Sequence, residues 1–209
     1  MRLAGAAGVA GMVLIIGGLY LNSQGLSGAP SGDDPTAWSA WAKREELAIE
    51  IGVYGLLVPG LLLFLWMFAA FVDVLPPAAI PTRLATYGAI TFAVMFAASG
   101  VLSSTTASAF GYQDGFDDPT GITVLWGKAA GFNLQYVGIW GLAVTILASA
   151  IGLRRSGSLS SGLFYASIGL AILAAAGAEI GIGIIFCAIW MVAVSVVLLR
   201  RSGQAVVRQ

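Results

Sequence analysis

The charged residues of this chain sit almost entirely in the gaps between about six apolar stretches. That placement constrains the fold more than any motif does. Charged residues are 10% of the 209 positions and hydrophobic ones 58%, whereas soluble domains carry roughly 25% charged residues. A soluble chain this apolar lacks the polar groups to cover its own surface. In a bilayer the surface is apolar, so the pattern predicts an all-α, polytopic transmembrane helix bundle. The net charge is zero, so no basic field points to nucleic acid. The 28 glycines suit close helix approach in lipid, where apolar burial gives little driving force.

Histidine is absent and Cys187 stands alone. Haem, copper and zinc sites lean on imidazole and thiolate ligands. No cofactor and no metal centre are therefore expected, and acid–base chemistry by histidine is excluded.

The first span is predicted over about residues 3–21, after Arg2. A signal-peptide reading competes with it, but the apolar run is long and no clear small-residue cleavage site follows. An uncleaved span is expected. Residues 22–46 form a polar outer segment. Within it, Asp34-Pro35-Thr36 reads as a helix start, with an acidic cap and proline at the first helical position. Trp38 and Trp41, three apart, then share a face of a short interfacial helix, as headgroup anchors. An aromatic binding patch is the functional alternative. The second span covers about 47–75, with a kink expected at Pro59. The third covers about 84–102, followed by an outer loop over 103–123. The fourth covers about 124–153 and stops at Arg154-Arg155. The last apolar region is too long for one crossing. Gly177-Ala178-Glu179-Ile180-Gly181-Ile182-Gly183 divides it into spans over about 163–177 and 182–199, with Glu179 at the turn. Both arms are short, so a tilted or re-entrant element is the alternative. All six spans form one domain, 1–209.

Charge sets the orientation. With six spans and the N-terminus inside, Arg2, Arg83, Arg154, Arg155, Arg200, Arg201 and Arg208 lie inside; Lys43, Arg44 and Lys128 lie outside. This is the positive-inside pattern. Nine of the ten acids fall outside or at the outer boundary, and only Asp73 lies near the inner end. Both termini are expected in the cytoplasm.

Candidate chemistry is sparse. Glu50, Lys128 and Glu179 fall near the outer boundary of different spans. They read as an ion pair holding helix ends, or as a proton or cation entry point. Asn133 and Gln135 lie deeper in the fourth span. Two apart on a helix, they face different ways, and each reads as a packing residue that bonds a neighbouring helix. Thr145 and Ser149 can bond back to their own helix. Asp114, Asp117 and Asp118 read as a solvated turn, since their spacing does not match an EF-hand ligand series. Gly127…Gly131 and Gly177…Gly181 match G-x-x-x-G, a weak contact signal in a glycine-rich chain.

The layout carries a resemblance. A short first span, the interfacial stretch DDPTAWSAWAKREEL, a long second helix ending in FLWMFAAFVDVL and the arginine stop AIGLRRSG follow in order. This resembles a group of uncharacterised six-span integral membrane proteins of high-GC actinobacteria. The resemblance implies a six-span protein of the bacterial plasma membrane and transfers no activity or site residues. The leading functional reading is non-catalytic. It is a structural or accessory subunit, packed against another membrane protein or itself, amid membrane lipids. A small transporter or channel using the outer acidic face is the alternative. A lipid-binding or membrane-enzyme role is the third.

Overall fold

The computed structural model describes the backbone of residues 2–30, 34–77, 79–111 and 121–206. Within it, some side chains lie outside the description, Trp38 and Lys128 among them. The described residues form helices α1 (Arg2–Ser27), α2 (Pro35–Glu50), α3 (Val58–Val72), α4 (Ile80–Gly111), α5 (Gly121–Arg155), α6 (Ser161–Ala176) and α7 (Gly183–Val206). A π-helical segment, Ile51–Leu57, joins α2 to α3 without a break. No strand occurs among the described residues.

Four helical stretches are long and apolar enough to cross a membrane: Arg2–Gly25, Lys43–Val72, Ile80–Thr105 and Ala129–Arg155. Ser161–Ala176 and Gly183–Leu199 are shorter apolar helices. Large apolar side chains also cover the outside, among them Val13, Leu62, Trp66, Ile90, Val144 and Ile189. Such a surface suits lipid and not water.

Several local signals act as the chain predicts. The Asp34 carboxylate accepts from the Thr36 N–H at 2.9 Å, and Pro35 opens α2. The α6–α7 turn falls over 177–182, closed by the Gly183 N–H donating to the Gly177 carbonyl at 2.9 Å. Gly181 adopts φ +77° there, a conformation that a side chain would strain.

Other boundaries differ from expectation. Where the stretch expected as an outer loop over 103–123 is described, it is helical: α4 continues to Gly111 and α5 begins at Gly121. Serine tolerates this because its hydroxyl can satisfy a carbonyl of its own helix. Ser103 donates to Ser99 O at 3.0 Å and Ser104 to Val101 O at 3.0 Å. The outer segment 22–46 is likewise mostly helix, leaving only the connection between Ser27 and Pro35. The interfacial helix is no separate element but the start of the helical run that continues through α3. The kink expected at Pro59 takes another form. Pro59 opens α3, and the irregularity lies in the preceding turns, where the Val58 N–H reaches back five residues to Val53 O. Proline lacks an N–H and crowds the preceding turn, so the wider π winding ends against it.

Neighbouring helices run antiparallel and meet at paired glycines. Gly18 on α1 faces Gly52 of the π segment; a methyl on Gly18 would lie 2.5 Å from the Gly52 carbonyl oxygen. Gly11 faces Gly60 of α3, and Gly88 of α4 faces Gly141 of α5, each with the partner's carbonyl oxygen in the way of a side chain. The weak G-x-x-x-G signals resolve unevenly. Gly177 is tightly enclosed, Gly181 has nothing within 4 Å, and Gly131 leaves 3.4 Å to Ser103 Oγ. Between these seams lies an aromatic and aliphatic core. Phe64 meets Phe92 edge-on at 5.1 Å, Phe92 meets Phe96 at 4.6 Å, and Phe71 meets Trp190 edge-on at 5.8 Å.

Candidate functional site

The arrangement of the helices leaves a cavity. The first half of α1 packs on the far end of α7, where Gly5 and Gly8 lie against Leu199 and Ser195. Towards its own C-terminus α1 leans instead on the π segment, through Gly18 and Gly52. A space therefore opens between the second half of α1, the α6–α7 turn, and the paired helices α4 and α5. It measures about 570 Å³ and is lined by Ile16, Leu19, Tyr20, Phe96, Phe132, Ile139 and Ile184, with Asn22, Ser23, Ser103, Gln135 and Glu179 as polar members.

Two cross-helix hydrogen bonds fix its walls. Gln135 Nε2 donates to Ser99 Oγ at 3.0 Å, tying α5 to α4. The Tyr136 hydroxyl donates to the Glu179 carbonyl at 3.1 Å, tying the α6–α7 turn to α5. Trp140 adds a third tie, its indole N–H reaching Ala175 O at 3.2 Å. The hairpin tip is thus held at the height of residues 136–140, and the cavity lies above it.

The residues singled out by sequence scatter across this geometry. Glu179 and Gln135 both line the cavity, the former exposed at the turn. Asn133 points elsewhere and is exposed. Glu50 is half-buried at the end of α2 and is not a wall residue. The Lys128 side chain lies outside the described residues, and so does any pairing of it with Glu50. Asp114, Asp117 and Asp118 also lie outside them. Among the described residues the ion pair is Arg44 with Glu45, at 2.6 Å on the surface. Trp41 departs from the anchor reading. It is 2% exposed, and its indole N–H donates to Gly25 O at 3.1 Å. Gly25 belongs to the last turn of α1, whose carbonyls lack helical partners. Trp41 therefore fastens α2 to α1 and is not turned to headgroups. Thr145 bonds back to Gly141 O and also across to Ala85 O, both at 3.1 Å. The buried Ser149 hydroxyl finds no partner among the described residues.

Three polar residues escaped sequence reasoning. Asn22 is only 4% exposed and lines the cavity, yet no described group donates to its Oδ1. Glu46 Oε1 is buried and unpartnered in the same sense. Tyr54 shares a 2.9 Å hydrogen bond with the buried Ser104. A signal for Asn22 existed: it sits between Gly18 and Gly25, on the α1 face that packs closest to its neighbour.

No protein-family model matches the chain, and no match to it was found among characterised proteins or solved structures.

Proposed function

We propose that this chain is a six-span integral membrane protein acting as a non-catalytic structural or accessory subunit. Four long apolar helices and two shorter ones support the placement. A consistent thickness supports it further. Asn22, Gly52, Gly100 and Gln135 lie at one height, through the Asn22–Gly52, Gly100–Val53 and Gln135–Ser99 contacts. From that height, about twenty residues lead to each far end near Arg2, Val72, Ile80 and Arg155. At 1.5 Å per residue this is about 30 Å, the thickness of a hydrocarbon core. Arg2, Arg83, Arg154 and Arg155 gather at the far end. Lys43, Arg44 and most acids belong to the near end, which supports an outer assignment for it.

The observation that carries the subunit reading is the filling of the slab below the cavity. Phe64, Phe92, Leu142, Ile146 and Met67 are each no more than 1% exposed. Two of the buried hydroxyls there serve the helices themselves: Thr145 bonds carbonyls of α5 and α4, and Ser195 bonds Met191 O at 2.8 Å. A water-lined path for an ion would need polar groups facing one another across this layer. Purification from a native membrane followed by mass spectrometry tests the proposal. The expected result is a stoichiometric membrane-protein partner or a homo-oligomer. A proton or cation flux in proteoliposomes that disappears in Glu50→Gln, with the fold intact, would favour a transporter and sink the subunit reading.

A further inference from the structure

Beyond Gly8 and Ser195, α1 parts from α7, and the cavity opens in the wedge between them. On α1 its wall runs from Ile16 to Ser23, about 10 Å along a helix axis. Ile184 and Ile185 of α7 and Tyr136 and Ile139 of α5 supply further wall. The wedge opens sideways, onto the apolar exterior. Ile16 is 50% exposed and continues the face of α1 that carries the exposed Val13. Ile185 is 56% exposed and continues the face of α7 that carries the exposed Ile189. In a bilayer both faces meet hydrocarbon.

The polar groups of the wall offer little hold to water. Gln135 Nε2 is bonded to Ser99 Oγ, and the Tyr136 hydroxyl to Glu179 O. Asn22 Oδ1 is sealed within the packing and does not reach the space. Ser23 and Glu179 are exposed, so groups outside the wedge can serve them. A water kept inside needs about two to four polar partners. An empty wedge would instead forfeit the dispersion contacts of its apolar lining. The volume, about 570 Å³, lies in the range of pockets that enclose a small ligand. A partner's helix, about 10–12 Å across with its side chains, needs more room over the same length. Hydrocarbon chain satisfies the lining, fits the space and stands at the mouth. We propose that the wedge holds one acyl chain of a membrane lipid, inserted sideways between Ile16 and Ile185 with its headgroup left outside. The apolar wall recognises the chain, so the charge of the head plays no part. The inference rests on the membrane placement above but not on the subunit role.

The test uses the full chain in phosphatidylcholine nanodiscs doped with a phosphatidylcholine that carries a photoreactive diazirine in one acyl chain. Irradiation and mass spectrometry then map the adducts. Leu62 and Val144, exposed on other faces, report ordinary lipid contact; Phe64 and Leu142, buried in the core, report background. Adducts at the half-buried Leu19 and Tyr136 are expected at least fivefold above that background. Ile184→Trp fills the wedge and should cut them about tenfold, leaving Leu62 and Val144 unchanged. Should Ile184→Trp misfold, Ile16→Trp at the mouth serves the same purpose. Background-level adducts at Leu19 and Tyr136 beside labelled Leu62 and Val144 would overturn the proposal. So would adducts there that ignore the wedge-filling variants. Unlabelled Leu62 and Val144 would overturn the membrane placement itself, so the two failures are distinguishable.

Discussion

Single glycines decide how closely these helices approach, and the cost of losing one depends on what a methyl would strike. At Gly88 it would overlap the Gly141 carbonyl and come within 3.0 Å of the Thr145 backbone N. Neither is the end of a flexible side chain, so α4 and α5 would have to separate. Gly88→Ala is expected to destabilise by about 1–3 kcal/mol, read as a clear fall in thermal midpoint in detergent. Gly169, in the middle of α6, has nothing within 4 Å. Gly169→Ala should be neutral or gain up to about 1 kcal/mol from helix propensity. Equal effects at the two sites would refute the close-approach argument. Trp41 offers a second residue-scale test. Trp41→Phe keeps most of the buried ring but removes the N–H that Gly25 O accepts. A loss of about 0.5–1.5 kcal/mol is expected. An unchanged midpoint would mean that the hydrogen bond contributes nothing.

The elements were legible in the sequence where a local rule decides them, and obscure where a neighbour does. Asp34-Pro35 and the glycine-rich turn around Glu179 are local, and both stand where the residues predict. The extension of α4 past Ser103 is not local, because polar serines and threonines read as loop until α5 is seen alongside them. The π segment was invisible for a related reason. Pro59 announces a disturbance, but whether the chain bends or widens depends on α1, which needs Gly52 against Gly18. Pro59→Ala isolates the proline's share. With a donor restored at position 59, segment 51–57 should convert towards regular α winding, and its amides should exchange with deuterium more slowly. If exchange is unchanged, the Gly18–Gly52 contact holds the π winding and the proline only marks its end. The cavity was the least legible feature. Its walls come from α1, α4, α5, α7 and the α6–α7 turn, and no short stretch of sequence contains it. Gln135 and Glu179 stand out in the sequence for other reasons; Asn22 reads only as the first residue of a polar outer segment.

For the whole molecule the decisive question is which end faces out. The helices alternate in direction, so the Ser27 end of α1, the start of α2 and the α6–α7 turn share one side. The connections after α3 and after α5 share the other. Arg83, Arg154 and Arg155 stand on the second side; Lys43 and Arg44, with Glu45 and Glu46 next to them, stand on the first. Positive charge is retained in the cytoplasm during insertion, while acidic residues contribute little to orientation. Ser27 and Ser158 are both exposed and mark the two sides. Cys187 is fully buried, so it should stay silent towards a membrane-impermeant maleimide and the natural chain supplies a clean background. Ser27→Cys is expected to react in intact cells. Ser158→Cys should react only after the membrane is opened. The reversed pattern would invert the orientation and leave the fold untouched. Labelling of both sites in intact cells would be more damaging: it would place both connections on one side, and an α1 to α5 alternation across a single bilayer could not produce that.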